Sequence, residues 1–286
     1  MTDSWRNSVP ARLGVPWGRT RAPVDAPTAQ RIRRGLGSRV VGSVFVSLRR
    51  ASSTNDVALD LAARGCPDGL VVAAETQWAG RGRRRRAWHS PAGSGLWFSV
   101  VLRPACPVAE AQALTFLGAV AAARAVQALY GVCAGLKWPN DLAVGGRKLG
   151  GVLAEVEAEG RVIRHAVVGV GVNVNIDRAG FPPALRGTAT SLREILGAGV
   201  SRVKLLQRIL EELDQRYLIL RRDGTGPLVA EAGALCPMGG TIIRAQHRGR
   251  VLEGTVTGLD EDGALLVRLL SGPVVRLLAG EVTILR

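Results

Sequence analysis

The chain has 286 residues and a formal charge of +15, with length for one large domain and a smaller one. Its 38 basic residues include only three lysines, Lys137, Lys148 and Lys204, so the charge reflects a preference for arginine and says little about a polyanionic partner. Four cysteines without a CxxC pair and three scattered histidines indicate neither a disulfide framework nor a zinc site, and no uninterrupted apolar run reaches the roughly 18 residues of a membrane span. A soluble, cytoplasmic protein is expected.

In chain order, residues 1–38 mix Arg and Pro without an apolar signal region and read as a flexible tail. A strand is expected from Val40, then a helix that starts at the capping residues of "SSTND" and stops at Gly65. "GLVVAAET" and "GLWFSVVLRP" read as strands, and between them lies "GRGRRRRAWHSPAGSG", a loop with five arginines from Arg81 to Arg86. The spacing predicts a long buried helix over 108–130. The stretch from Gly135 to Asn175 reads as a β-meander turning at Gly145-Gly146 and Glu159-Gly160, with Glu155, Glu157 and Glu159 on a solvated face. A helix over 200–221 closes the main domain, and the short strands after Pro237 predict a small barrel. The class is α+β, divided into the tail, a main domain over 39–235 and a barrel over 236–286.

A chain this poor in Lys and Asn shows where it cannot do without them. Of five asparagines, Asn55 lies in "SSTND", Asn140 in "KWPND", and Asn173 and Asn175 in "GVGVNVN"; Lys137 and Lys148 flank the "KWPND" segment. Taken singly, these stretches read as a helix cap, a turn string and a glycine bulge. Together with the arginine loop they suit activation of a carboxylic acid by a nucleotide, where two negative groups approach and the site must supply fixed positive charge. Arg81 and Arg83 offer forked donors for phosphate, Gly80 and Gly82 allow close backbone approach, and Lys148 is a point charge for a carboxylate. Asp141 could hold Mg²⁺ through one carboxylate, and Trp88 or Trp78 could stack on a purine.

The segments "GRGRRRRAWHSPAGSGLWFSV", "KWPNDLAVGGRKLGGVLAE" and "GVGVNVN", in this order, closely resemble the biotin protein ligases, the biotin–[acetyl-CoA-carboxylase] ligases, over the chain from about Val40 onward. The resemblance implies a mixed or antiparallel sheet with helices, like the core of class II aminoacyl-tRNA synthetases and biotin synthetases, plus a C-terminal SH3-like β-barrel. It implies formation of biotinyl-5'-AMP from biotin and MgATP, then transfer to a lysine of the biotin carboxyl carrier domain of a biotin-dependent carboxylase. By motif position, Ser53, Thr54, Asn55 and Gln77 would line the biotin head-group pocket, and Arg81, Gly82 and Arg83 would close over biotin and the adenylate phosphate. Lys148 would contact the biotin carboxyl beside the backbone of Gly151 and Gly171, with Arg83 and Lys148 the catalytic pair. Arg86, Trp88, Asn140 and Asn173 would serve ATP, and Asp141 the metal.

Arg85 replaces a glycine common in the family's GRGRxGR pattern, so a positive φ there would be strained and the loop is expected to take a somewhat different path. Four prolines before residue 38 and no turn-helix pattern argue against the N-terminal winged helix of the DNA-binding members, so no specific DNA binding is expected; a homodimer is compatible with the sequence. Two other readings are a lipoate ligase of related fold and a nucleic-acid-binding protein that uses the basic loop.

Overall fold

The computed structural model describes residues 9–17, 22–247, 250–278, 280 and 282–285. Its elements in chain order are β1 (Gly14–Pro16), α1 (Ala29–Arg33), β2 (Phe45–Ala51), α2 (Thr54–Ala63), β3 (Val71–Ala74), β4 (Gly95–Leu102) and α3 (Ala111–Tyr130). Then come β5 (Gly135–Lys137), β6 (Asp141–Val144), β7 (Arg147–Glu159), β8 (Val162–Asn173), α4 (Leu192–Leu196), α5 (Arg202–Asp223) and α6 (Gly226–Ala234). The C-terminal strands are β9 (Ile242–His247), β10 (Arg250–Leu259), β11 (Leu265–Leu269), β12 (Val274–Leu277) and β13 (Val282–Ile284).

Among the described residues β1 to β8 form one sheet in the order β1-β2-β3-β4-β8-β7-β6-β5. Only β2 and β3 run parallel, because α2 crosses between them; the other pairs are antiparallel. The α+β expectation thus becomes a mixed sheet with helices packed on it. The meander from β6 to β8 turns at Gly145 and Gly146, whose φ of 57° and 75° suit a two-residue hairpin, and at Gly160.

Two helices cover the core face. α3 is apolar on nearly every side and buries Leu114, Phe116, Leu117 and Val120, ending where Gly131 adopts φ 67°. Each such side chain contributes about 1.5–3 kcal/mol by leaving water. The span Val108–Tyr130 is long and apolar enough to cross a membrane, but most of it is buried inside the protein, as in a soluble core helix. α5, capped by Ser201, packs along α3 with Leu206, Ile209, Leu213 and Tyr217 inside.

The structure departs from the sequence reading near the N-terminus. The first long strand starts at Phe45, because the Asp214 carboxylate accepts the backbone N–H groups of Arg39, Val40 and Val41 at 2.8 Å each and holds that stretch out of the sheet. The described part of the expected tail is structured: β1 pairs antiparallel with β2, Ile32 of α1 is fully buried, and Asp25 reaches Arg202. The prolines that interrupt helix there do not prevent packing against β2 and α5.

β9 to β13 form a five-stranded antiparallel sheet in the order β12-β11-β10-β9-β13, where a small barrel is expected. Its apolar side chains Ile243, Val256, Leu265 and Val267 are continuous with the main core. Two contacts fix the junction: Trp138 Nε1 donates to Gly263 O at 3.0 Å, and Gly263 lies so close to Phe116 that an added Cβ would meet the ring at 2.4 Å.

Candidate active site

The sheet register builds a floor. Trp97 on β4 stands beside Gly171 on β8, which pairs with Gly151 on β7, which pairs with Asp141 on β6. Side chains alternate along a strand, so Val168, Val170 and Val172 enter the core while Gly169, Gly171 and Asn173 face the opposite side. Two glycines at the centre of this row leave a trough between an indole and a carboxylate. Above it lies a cavity of about 590 Å³.

One end of the cavity is formed by the start of α2. Ser53 caps this helix by accepting the Asn55 N–H. Thr54 N–H donates to Gln77 Oε1 at 2.8 Å, and Gln77 Nε2 donates to Ser90 Oγ at 2.9 Å. Ser99 Oγ, on the floor, lies 2.7 Å from Thr54 Oγ1 and 2.6 Å from Asn55 Oδ1. Asn55 Nδ2 donates to Glu155 Oε2 at 2.6 Å; a carboxylate only accepts, so the amide nitrogen must face it. The start of α2 thus both caps the helix and lines the cavity.

The arginine loop rises over the other side. Its arms pair through Gly82 N–H to Arg86 O and Trp88 N–H to Gly80 O, both 2.8 Å, leaving residues 83–85 as the tip. Arg84 and Arg85 both take positive φ, 54° and 58°. The chain therefore takes a left-handed conformation at Arg84 and Arg85, at a cost of roughly 1–2 kcal/mol for each residue. Both side chains are exposed, so nothing adds to that cost. Arg83 donates to Gly280 O at 3.2 Å, which ties the tip to the C-terminal sheet.

Arg81 lines the cavity but is engaged by carboxylates of the protein. Its guanidinium pairs with Asp56, and with Glu155 at 2.9 Å. Burial works against its charge, but the bonds to Glu155 and Asp56 outweigh it and hold its pKa above the ordinary arginine value. Glu155 is consequently not on a solvated face. Gly151, Leu153 and Glu155 alternate toward the cavity, while Glu157 and Glu159 lie beyond it in solvent.

At the far end Lys148 Nζ lies 2.6 Å from Asp141 Oδ1 and 5.0 Å from the centre of the Trp88 ring. Its backbone is fixed by Thr188 O and by the Thr190 N–H. Asn173 Nδ2 donates to Thr190 O at 3.0 Å and reaches Lys148 O at 3.4 Å, so this asparagine ties the lysine-bearing start of β7 to the 188–190 segment. Asn140 similarly ties its loop to β7 through Val152 O. Trp88 lies on Gly171, where an added Cβ would meet the indole at 2.7 Å, and its edge meets Trp97 with centroids 6.3 Å apart. Its Nε1 is buried without a hydrogen-bond partner among the described residues, a donor suited to a ligand. Trp78 is about half exposed under Arg50, away from this cavity.

Every residue that the resemblance assigns to biotin, ATP or the metal lines the same cavity, whereas Trp78 and Gly80 are not among its lining residues. Sequence reasoning missed Asp56, Ser90, Ser99, Glu155 and Gly169, and the contribution of Gly280 and Thr283 from the C-terminal sheet. Gly169 had a signal: it precedes Gly171 and Asn173 by the two-residue period of a strand face. A Cβ there would lie 2.1 Å from Asn55 Oδ1.

A mixed sheet floored with glycine, a lysine and an arginine loop over one cavity, and a C-terminal sheet reaching its rim define a ligase that joins a small acid to a nucleotide. Residues 47–173 match the Biotin/lipoate A/B protein ligase family, and residues 239–285 match the Biotin protein ligase C terminal domain. The chain is 34% identical to the biotin–[acetyl-CoA-carboxylase] ligase of Mycobacterium tuberculosis, over 94% of this chain and 98% of that protein. It is 37% identical to the bifunctional ligase/repressor BirA of Bacillus spizizenii, over 84% of this chain and 74% of that protein. Among solved structures, a biotin protein ligase from Aquifex aeolicus in complex with biotin and ATP superposes with a TM-score of 0.73 at 26% identity, covering 85% of this chain and 99% of that one. The chain belongs to the biotin protein ligase family.

Proposed function

We propose that the chain joins biotin to ATP as biotinyl-5'-AMP and then passes the biotinyl group to a lysine of a biotin carboxyl carrier domain. In the first step a carboxylate oxygen of biotin bonds to the α-phosphorus as the bond to pyrophosphate breaks. In the second the neutral lysine amine bonds to the acyl carbon, AMP leaves with the bridging oxygen, and the amine proton passes to solvent. The observation that carries this reading is that three motifs far apart in sequence converge on one cavity with hydrogen-bonding groups at one end and cationic side chains at the other.

Ser53, Thr54, Asn55 and Gln77 offer the donors and acceptors that a ureido ring requires. The trough over Gly151 and Gly171 admits an aliphatic chain, which brings the acid to Lys148. Arg83 and Arg86 face the developing phosphate charge from the loop, and Trp88 offers its ring to the base, while Asn140 and Asn173 hold the nucleotide wall in place. The fit for Mg²⁺ is minimal. Among the described residues no three His, Cys, Asp or Glu side chains gather as a metal site, so the ion would rest on Asp141 and on phosphate oxygens, as Mg²⁺ commonly does. Bound there it would offset phosphate charge.

The test is incubation of purified protein with MgATP, biotin and a carrier domain, followed by mass spectrometry. Biotinyl-AMP and a biotinylated lysine are expected, with biotin preferred over lipoate in competition for pyrophosphate release. Pyrophosphate release with lipoate alone would overturn the assignment.

A further inference from the structure

The first arginine of the loop, Arg81, is held by carboxylates of the protein itself. Arg81 has both terminal nitrogens committed: one to Asp56 from the first turn of α2, the other to both oxygens of Glu155 on β7, at 2.9 and 3.1 Å. Each carboxylate is itself fixed. Asp56 accepts from Ser52 Oγ at 2.9 Å, and Glu155 accepts from Asn55 Nδ2 at 2.6 Å. Three elements distant in sequence therefore meet on one guanidinium, at the base of the arm that pairs Gly82 with Arg86 and Gly80 with Trp88. A planar fork held by two anions keeps one orientation, which a lysine could not reproduce.

We propose that Asp56 and Glu155 are positioning residues that clamp Arg81 as the fixed pivot of the arginine loop, so that residues 83–86, and not Arg81, close on the adenylate. The inference rests on the ligase reading for its kinetic consequence, but its geometry does not depend on it. Glu155 also orients Asn55 in the head-group pocket, so one carboxylate serves both the loop base and the biotin wall. Loosening the clamp should let the loop and its arginines swing away from the adenylate, while Lys148, held on β7, stays in place.

The experiment compares Asp56→Asn, Glu155→Gln, Arg81→Ala and the double variant Arg81→Ala/Glu155→Gln with the parent, with Glu155→Asp as the conservative control. Release of biotinyl-AMP should quicken about tenfold in Asp56→Asn and Glu155→Gln, the effect of losing a charge-assisted hydrogen bond. In Asp56→Asn, which leaves the Glu155–Asn55 bond intact, the formation rate at saturating biotin and ATP should fall by less than the release rate rises, because Lys148 is held on β7 independently of the loop. Adenylate release from the double variant should match that from Arg81→Ala, as expected for residues acting as one unit, and Glu155→Asp should recover part of the retention. A roughly hundredfold fall in formation rate for Arg81→Ala, with both carboxylate variants silent, would place Arg81 on the phosphate and overturn the proposal. Altered melting temperature with unchanged release would overturn it too, by reducing the clamp to a structural tie. Backbone hydrogen exchange on the unliganded proteins judges the clamp without activity: the Gly82 and Trp88 amides should lose protection in Asp56→Asn and Glu155→Gln, and unchanged protection would sink the idea. Absence of biotinyl-AMP from the parent protein would instead count against the ligase reading.

Discussion

Replacing Arg202 should be among the most destabilising single changes in the chain, and the structure says which partner is responsible. Arg202 is fully buried at the start of α5 and contacts Asp25 at 2.8 and 2.9 Å, Glu75 at 2.9 Å and the Gly95 carbonyl at 3.3 Å. Glu75 ends the run into the arginine loop and Gly95 begins the strand that leaves it, so this guanidinium ties both feet of that loop. The two anions are not equivalent. Asp25 has a side chain 41% exposed and can rehydrate, which limits its share to about 0.2–1 kcal/mol. Glu75 is 6% exposed, and its Oε2 has no hydrogen-bond partner among the described residues, so Arg202→Met would strand a buried carboxylate at a cost of about 3–5 kcal/mol. Urea unfolding followed by circular dichroism at neutral pH would measure that loss. Arg202→Met/Glu75→Gln should recover most of it, because the stranded charge is gone. A loss below about 1 kcal/mol, or no recovery in the double variant, would refute the assignment to Glu75.

Lys148→Gln should slow biotinyl-AMP formation by about 10²–10³, the usual cost of removing a fixed charge from a site of this kind, and single-turnover pyrophosphate release would measure it. Gly169→Ala should raise the KM for biotin at least about tenfold, because its Cβ would displace Asn55 and disturb the bonds to Ser99 and Glu155. His165 is buried, and burial lowers its pKa below the ordinary value of 6.5, against the opposing pull of Glu157. The unfolded chain then binds the proton more readily, so stability should fall as pH drops below 6.5 toward the lowered folded value, and His165→Gln should flatten that dependence in urea titrations. Alkylation of the native protein should reach the exposed Cys133 first, while Cys66, buried with its thiol pushed up to about 11, should react only on unfolding; tryptic mapping of the labelled sites checks the order.

What was legible in the sequence, and what was not, divides along one physical line. Residues whose role depends on local backbone could be read: the cap at Ser53, the hairpin at Gly145-Gly146 and the loop between β3 and β4 all stand where propensity and turn chemistry place them. The fold class followed, because the long apolar run of α3 and the turn glycines of the meander are local signals too. Arg85 marks where local reasoning met its limit. The steric cost of a positive φ was correctly identified, but an exposed loop tip tolerates it, and the neighbouring Arg84 shares it. The illegible part concerns charge. Asp56, Glu155 and Asp25 look like residues of solvated surfaces or of a tail; Asp56 and Glu155 end the quoted segments "SSTND" and "KWPNDLAVGGRKLGGVLAE", but those segments do not say what they pair with. Their partners are Arg81, Arg81 again, and Arg202, the last of these 177 residues away.

Burial of a carboxylate is favourable only where a cation arrives from elsewhere in the fold, so its meaning is set by strand register and helix packing rather than by its own neighbours. The same holds for the excess of arginine. Composition alone says little about a polyanionic partner, and Arg81, Arg124, Arg202 and Arg216 are matched to carboxylates within the protein. An arginine-rich chain of this kind spends many of its cations internally, and the arginine loop becomes informative only once those internal pairs are set aside. What then distinguishes its tip is position: residues 83–86 stand over the trough on a base that Asp56 and Glu155 hold still.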